Sequence, residues 1–303
     1  MESRADVSWP STIALLVRAL TGFVAGAALL LINVHGSGPS RSFASHGEAT
    51  LWFILIAGQA AFWAVVTSYV WKISWHYVRR SGRDLGRIAL SIAVIFVLLI
   101  GVPVTVRLAG RPIDPVWGAA WKIPLFTAAG FVLVVLPSLM GILGIQAFTM
   151  RSLGSTIEES DIDGFMELRD DLNRFLALLG AAIGLAVLST GALRNAVLVY
   201  KPKAHLPPES VLAYGGFLTL LLAFAYAPAY HALLRLGRRI RDVLLPKRPA
   251  PTDPGFGDWY ATRKNLTELM QLEVGTYQRL QTAILILTPL VSAALSLAIP
   301  KNG

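Results

Sequence analysis

The 303-residue chain contains no cysteine. Disulfides, CxxC redox pairs and thiolate metal sites are therefore excluded. Charge is scarce as well: 15% of the residues are Asp, Glu, Lys or Arg, against about 25% in an ordinary soluble domain. The scarcity is patterned. Apolar runs cover residues 12–34, 50–71, 88–106, 123–148, 175–193, 211–230 and 280–299, and Arg18 is the one charged residue inside any of them. Proton relays and ion-coupled pumps place ionisable side chains within their spans. Their absence here argues against both, and against an intramembrane hydrolase. HExxH, Walker A and GxSxG motifs are also missing, which removes the commonest signatures of hydrolysis and phosphoryl transfer.

What the chain has is hydrophobicity: 54% apolar residues and a mean hydropathy of +0.58. A run of 18 or more apolar residues crosses a hydrocarbon core of roughly 30 Å as an α-helix. The expected fold is thus all-α, a polytopic bundle of seven transmembrane helices forming one integral membrane domain over 1–303. The expected spans are 12–34, 50–71, 88–106, 123–148, 175–200, 211–234 and 280–299. The segments 149–174 and 235–279 remain as amphipathic extensions, too short for a separate catalytic domain. The first run exceeds the 7–15 residues of a signal-peptide core, so it reads as a retained anchor.

Charges outside the runs give an orientation. With the N-terminus in the cytoplasm, 18 of the 27 Lys and Arg fall on the inside and 8 on the outside. That bias predicts an N-in, C-out, multi-pass protein of the plasma membrane. The 20 Arg against 7 Lys point to a GC-rich bacterial genome, hence a bacterial inner membrane. The net charge of +9 follows from basic residues at helix ends and gives no reason to expect a nucleic-acid partner. Trp71, Trp75 and Tyr77, and Trp117 and Trp121, stand where interfacial aromatics belong. Arg18 lies six residues into the first span, within snorkelling reach of the inner interface.

Small residues recur at helical spacing. Gly22 and Gly26 form one GxxxG; Gly180, Gly184 and Gly191 mark another face. Such ridges let helices approach closely, and packing within one subunit is the expected use. Pro137, Pro228 and Pro289 lie inside spans, remove backbone donors and are candidate hinges. No inverted repeat is visible, which lowers the expectation of a transporter built on duplicated halves.

Two inner connections carry the charge. Residues 155–174 hold Glu158, Glu159, Asp161, Asp163, Glu167, Asp170 and Asp171. Asp161 or Asp163 suits a helix N-cap, and Phe165, Leu168, Leu172 and Phe175 form an apolar stripe that runs straight into the fifth span. The seven acids are read as an acidic outer surface and a candidate gate or partner surface. The second connection opens with Arg235, Arg238, Arg239 and Arg241, candidate contacts for anionic lipids. After Lys247, Arg248 and the break PAPTDPGFG, a further helix is expected from Asp258 as N-cap. Its stripe is Leu266, Met270, Val274, Tyr277 and Leu280, leading into the seventh span. Docking of the basic segment on the acidic one would close the inner side of the bundle in a salt-sensitive way.

Other motifs carry less. Gly255-Phe256-Gly257-Asp258 matches the letters of intramembrane aspartyl proteases but lies in a Pro-rich linker, with no partner Asp in any span. Asp161-Ile162-Asp163-Gly164 is a fragment of a calcium loop. His35, His46 and Glu48 share an outer loop; His76, His205 and His231 have no ligand set around them in sequence. No metal, cofactor or catalytic residue is expected. The expected partners are the lipid bilayer, anionic lipids, and a second copy or another protein. The sequence favours a non-enzymatic pore-like, scaffold or effector module. A solute or lipid carrier comes second and an enzyme on a membrane substrate third.

Overall fold

The structure is a computed structural model describing residues 11–32, 43–44, 46–81, 86, 119–154, 161–200, 207–245, 255–272 and 276–298. The described residues are helical and include no strand. They form seven continuous helices. These are α1 (Thr12–Leu31), α2 (Gly47–Ser81), α3 (residues 119–152), α4 (Asp161–Tyr200), α5 (Pro208–Leu244), α6 (Phe256–Leu269) and α7 (Thr276–Ala298). Five of them, α1 to α5, are long and apolar enough to cross a membrane, and α7 contributes a shorter apolar stretch, Gln281–Leu297. The expected third span, 88–106, lies outside the described residues, so α3, α4, α5 and α7 correspond to the expected fourth to seventh spans.

Local sequence sets the helix starts. Ser11 caps α1, its hydroxyl accepting from the Ala14 amide at 3.3 Å. Pro208 opens α5 at a position where no amide is needed. Asp161 and Asp163 stand in the first turn of α4, favourably placed against the helix dipole. The α4 helix runs 40 residues without interruption, about 60 Å at 1.5 Å per residue. The acidic segment and the fifth apolar run are therefore one rod, as the stripe from Phe165 to Phe175 predicts.

Contacts give the direction of each helix. Gly22 and Gly26 of α1 press on Ala64, Ala60 and Ala57 of α2, in descending order, so these helices are antiparallel. Trp63, Ser74 and Tyr77 of α2 meet Gly130, Pro137 and Gly144 of α3, in ascending order, so α2 and α3 are parallel. Gly180, Gly184 and Gly191 of α4 face Leu285, Thr288 and Ser296 of α7, again in parallel. The α5 helix runs the other way, with Tyr226 against Asn173 of α4 and Gly215 against Ala293 of α7. One end of the bundle thus collects the start of α1, the ends of α2, α3 and α5, the starts of α4 and α7, and α6; we call it the polar end.

Both glycine ridges pack inside the subunit. A β-carbon on Gly22 would lie 2.5 Å from the Ala60 carbonyl, and one on Gly180 would lie 2.9 Å from the Leu285 carbonyl. The second contact has a cause in sequence. Pro289, four residues on, has no amide to donate to Leu285, so that carbonyl lacks its helix bond. The α4 backbone closes on it where glycine leaves room.

Prolines act differently in the three helices. Pro137 follows a π-helical stretch, Phe131–Val135, in which Leu136 donates to the Phe131 carbonyl. The wide turn accommodates a proline whose ring would clash in a regular helix. The Pro137 carbonyl accepts from the Ser74 hydroxyl, which ties the irregularity to α2. Pro289 is buried and Pro228 exposed, and their helices continue through them.

Two expectations fail at α6. The helix begins at Phe256 with Gly255 at the cap, placing Asp258 in the first turn rather than at the N-cap. Nor does the stripe run on into the last helix. The Gln271 amide donates to the Glu268 carbonyl and the Leu272 amide to that of Thr267, both at 3.0 Å, with Gln271 at φ 49°. This pair of bonds around a left-handed residue is a Schellman stop. It separates Leu266 and Met270 from α7; Val274 and the side chains of Tyr277 and Leu280 lie outside the described residues.

Candidate functional site

The polar end holds a connected set of hydrogen bonds between α2 and α4. The Tyr77 hydroxyl donates to Asp171 Oδ2 at 2.7 Å. Arg174 Nη1 donates to Asp171 Oδ1 at 3.3 Å and to the Tyr69 hydroxyl at 3.1 Å. Asp171 is 1% exposed. It therefore does not belong to the acidic outer surface expected of it, and Tyr77, also buried, faces α4 rather than the outside of the bundle. The reason is helical phase: Asp171 lies three residues after Leu168 and four before Phe175, on the stripe that packs inward. Glycines admit the bulk around it, Gly144 receiving Tyr77 and Gly141 the Phe175 ring.

The remaining acids scatter. Asp163 and Asp170 are exposed, Asp161 and Glu167 half-buried; Glu158 and Glu159 lie outside the described residues. Of the basic candidates, Arg235 and Arg238 are exposed and Arg239 and Arg241 half-buried. Arg241 and Arg263 both pair with Asp242 at 2.9 Å, joining α5 to α6. The acidic and basic segments touch, and the packing between them includes an apolar contact. Gly237 of α5 receives Phe165 of α4 and Leu272 of the α6–α7 turn. Beside it, Arg169 Nη1 donates to the Met270 carbonyl at 3.1 Å, satisfying an orphan group at the α6 terminus. Lys247, Arg248, His35, His205 and Trp117, and the Trp121 side chain, lie outside the described residues.

Next to this contact is a cavity of about 290 Å³ between α4, α5, α7 and the turn that ends α6. Its polar lining is Arg169, Asn173, Arg174, Tyr230, Gln271, Gln281 and Thr282; Phe165, Ala177, Leu233, Leu234, Met270 and Leu285 supply an apolar floor. A second, smaller cavity of about 120 Å³ lies within the apolar zone, among Trp52, Gln59, Trp63, Phe131, Ser189 and Tyr214. There Gln59 donates to the Leu185 carbonyl at 2.8 Å and to the Ser189 hydroxyl.

Sequence reading missed Lys122, and for Arg18 it missed the partner. Lys122 enters the bundle with its side chain fully buried. Its ammonium donates to the Leu30 carbonyl at 2.9 Å and to that of Ile32 at 2.5 Å, capping the end of α1 with a cation. Arg18, read as an anchor, donates from Nη1 to the Ser68 hydroxyl at 2.8 Å, within the α1–α2 contact. Both partners are distant in sequence, so no local pattern announces them. Among the described residues, no group of three His, Asp or Glu is placed to hold a metal ion.

By architecture this is a helical protein with five helices able to cross a membrane. No family model matches the chain, and neither does any curated protein or solved structure.

Proposed function

We propose that the chain is a multi-pass integral membrane protein of a bacterial inner membrane, N-in and C-out, acting as a non-enzymatic effector or scaffold module with pore-like potential. Its polar end is the cytosolic receiving face. The observation that carries this reading is how the side chains are distributed. The apolar lengths are joined by glycine ridges and by the Gln59–Ser189 bond. The charged hydrogen-bond networks and the larger cavity gather at one end. The Lys and Arg bias supports assigning that end to the cytosol. The parallel run of α2 and α3 supports a further crossing between them, hence seven spans.

The test is reconstitution of the purified chain in liposomes, with dye and ion leak measured beside the oligomeric state. An oligomer with a leak that responds to substitution at the polar end supports the module. A monomer that passes nothing and captures no partner at that end overturns it. A carrier is the second reading, favoured by the cavity beside the π-turn of α3. Saturable flux of one solute, lost on filling that cavity by Ser189→Leu, distinguishes it.

A further inference from the structure

We propose that the cavity at the polar end binds a phosphate group carried at the membrane surface. The inference rests on the membrane reading above and adds a ligand to it. Depth is the first argument. Arg174 immediately precedes the apolar run of α4, Leu234 closes the expected span of α5, and Gln281 opens the shorter apolar stretch of α7. Three spans end at one level, which is where a bilayer carries its phosphates. Basic pockets between helices at this level suit anionic headgroups.

Charge and geometry are the second argument. Two guanidinium groups line the cavity, and no carboxylate is among its described lining residues. Arg174 uses Nη1 for Asp171 and Tyr69. Its Nε and Nη2 make no hydrogen bond among the described residues, and half of its side chain is exposed. Asp171 holds one side of the planar fork in place and leaves the other side to meet an anion. Phosphate matches that fork with two parallel bonds. Asn173, Gln281 and Thr282 line the same cavity and add neutral donors, while the apolar floor gives a glycerol backbone somewhere to lie.

The backbone supplies a third argument. Gln271 occupies a left-handed position, φ 49°, where glycine or asparagine is usual. A long side chain kept where glycine costs less points to a use for that side chain, and it lines this cavity. Arg169 is the positioning residue: its bond to the Met270 carbonyl holds the turn against α4.

The experiment is a thermal-shift titration of the purified full chain in neutral detergent. The probes are short-chain phosphatidylglycerol, phosphatidylcholine of equal chain length, and inorganic phosphate. Phosphatidylglycerol is expected to stabilise the chain at a concentration at least tenfold below that of phosphatidylcholine. Response to phosphatidylglycerol alone identifies a lipid headgroup, and a matching response to inorganic phosphate identifies a free anion; either supports the site. Arg174→Gln and Gln281→Leu are each expected to weaken the response fivefold or more. Because Arg174→Gln also disturbs Asp171, Gln281→Leu and Gln271→Gly keep the test decisive if that variant does not fold. The proposal is overturned if no probe stabilises the chain. It is also overturned if the response survives these variants but falls in Arg235→Gln/Arg238→Gln, which would make it general surface attraction. Fractionation of the expressed chain checks the membrane reading separately: a chain that does not partition into membranes sinks that reading, whatever the titration gives.

Discussion

The Tyr77 hydroxyl donates to the buried Asp171 carboxylate across 2.7 Å, tying α2 to α4 at the polar end. A buried carboxylate is costly unless its oxygens are bonded. Here Oδ2 has Tyr77 and Oδ1 has Arg174. Tyr77→Phe removes the first bond with little change of shape. The expected loss is about 1.5–3 kcal/mol, the range for bonds to a charged group. Denaturant titration of the purified protein measures it. Asp171→Asn, combined with Tyr77→Phe in a double-mutant cycle, is expected to cost less than the sum of the single changes, because both act on one network. Strict additivity would mean that the two groups stabilise the fold independently.

The α4–α7 contact separates glycines that are needed from those that are incidental. A methyl at Gly191 would overlap Ser296, whose hydroxyl already bonds the Ala293 carbonyl. A methyl at Gly216 meets open space. Gly191→Ala is expected to destabilise by about 1–3 kcal/mol, as overpacking does. Gly216→Ala is expected to stabilise by about 0.5–1 kcal/mol, since glycine is a poor helix former. Ser296→Gly added to Gly191→Ala should recover most of the loss. Thermal midpoints in one detergent decide the ranking, and equal effects at Gly191 and Gly216 would refute the contact.

The long helices are legible because apolar length is itself the signal: α4 reads as one rod since Phe165, Leu168, Leu172 and Phe175 keep helical phase into the apolar run. The glycine ridges are legible for the same reason, although their partners on α2 and α7 are not. Asp171 shows what composition alone hides. It sits next to Asp170 in a cluster of seven acids, yet successive residues on a helix point about 100° apart. One carboxylate of the pair therefore faces water and the other faces Tyr77. The stop at Gln271 is invisible for a different reason. Its left-handed turn carries glutamine, not the glycine that would mark it. Lys122 reads as an outside charge next to a span because the carbonyls it caps lie 90 and 92 residues away.

Lys122 should matter more than its place at a helix edge implies. Its two bonds satisfy carbonyls at the end of α1, a helix otherwise held mainly by its Gly22 and Gly26 contact with α2. Lys122→Met preserves length and leaves both carbonyls without that donor. The expected loss is about 1–3 kcal/mol. Lys122→Gln, which keeps a donor without the charge, should fall between the two. Thermal midpoints rank the three forms; a methionine variant as stable as the native chain would show that water replaces the ammonium at no cost.

Gln271 offers the sharpest separation of stability from recognition. Its backbone lies in the left-handed region, which costs an ordinary residue roughly 1 kcal/mol and glycine almost nothing. The Schellman bonds from Gln271 and Leu272 are made by backbone amides, so they survive a change of side chain. Gln271→Gly is therefore expected to raise stability by up to about 1 kcal/mol, less whatever its side-chain contacts contribute. Gln271→Val, β-branched and strained in this conformation, should lower it by a similar amount or more. Denaturant titration measures both. A glycine variant that is more stable yet binds phosphate less well would mean that the glutamine is kept for the cavity. A glycine variant that loses stability would mean instead that the side chain is part of what holds the turn against α4.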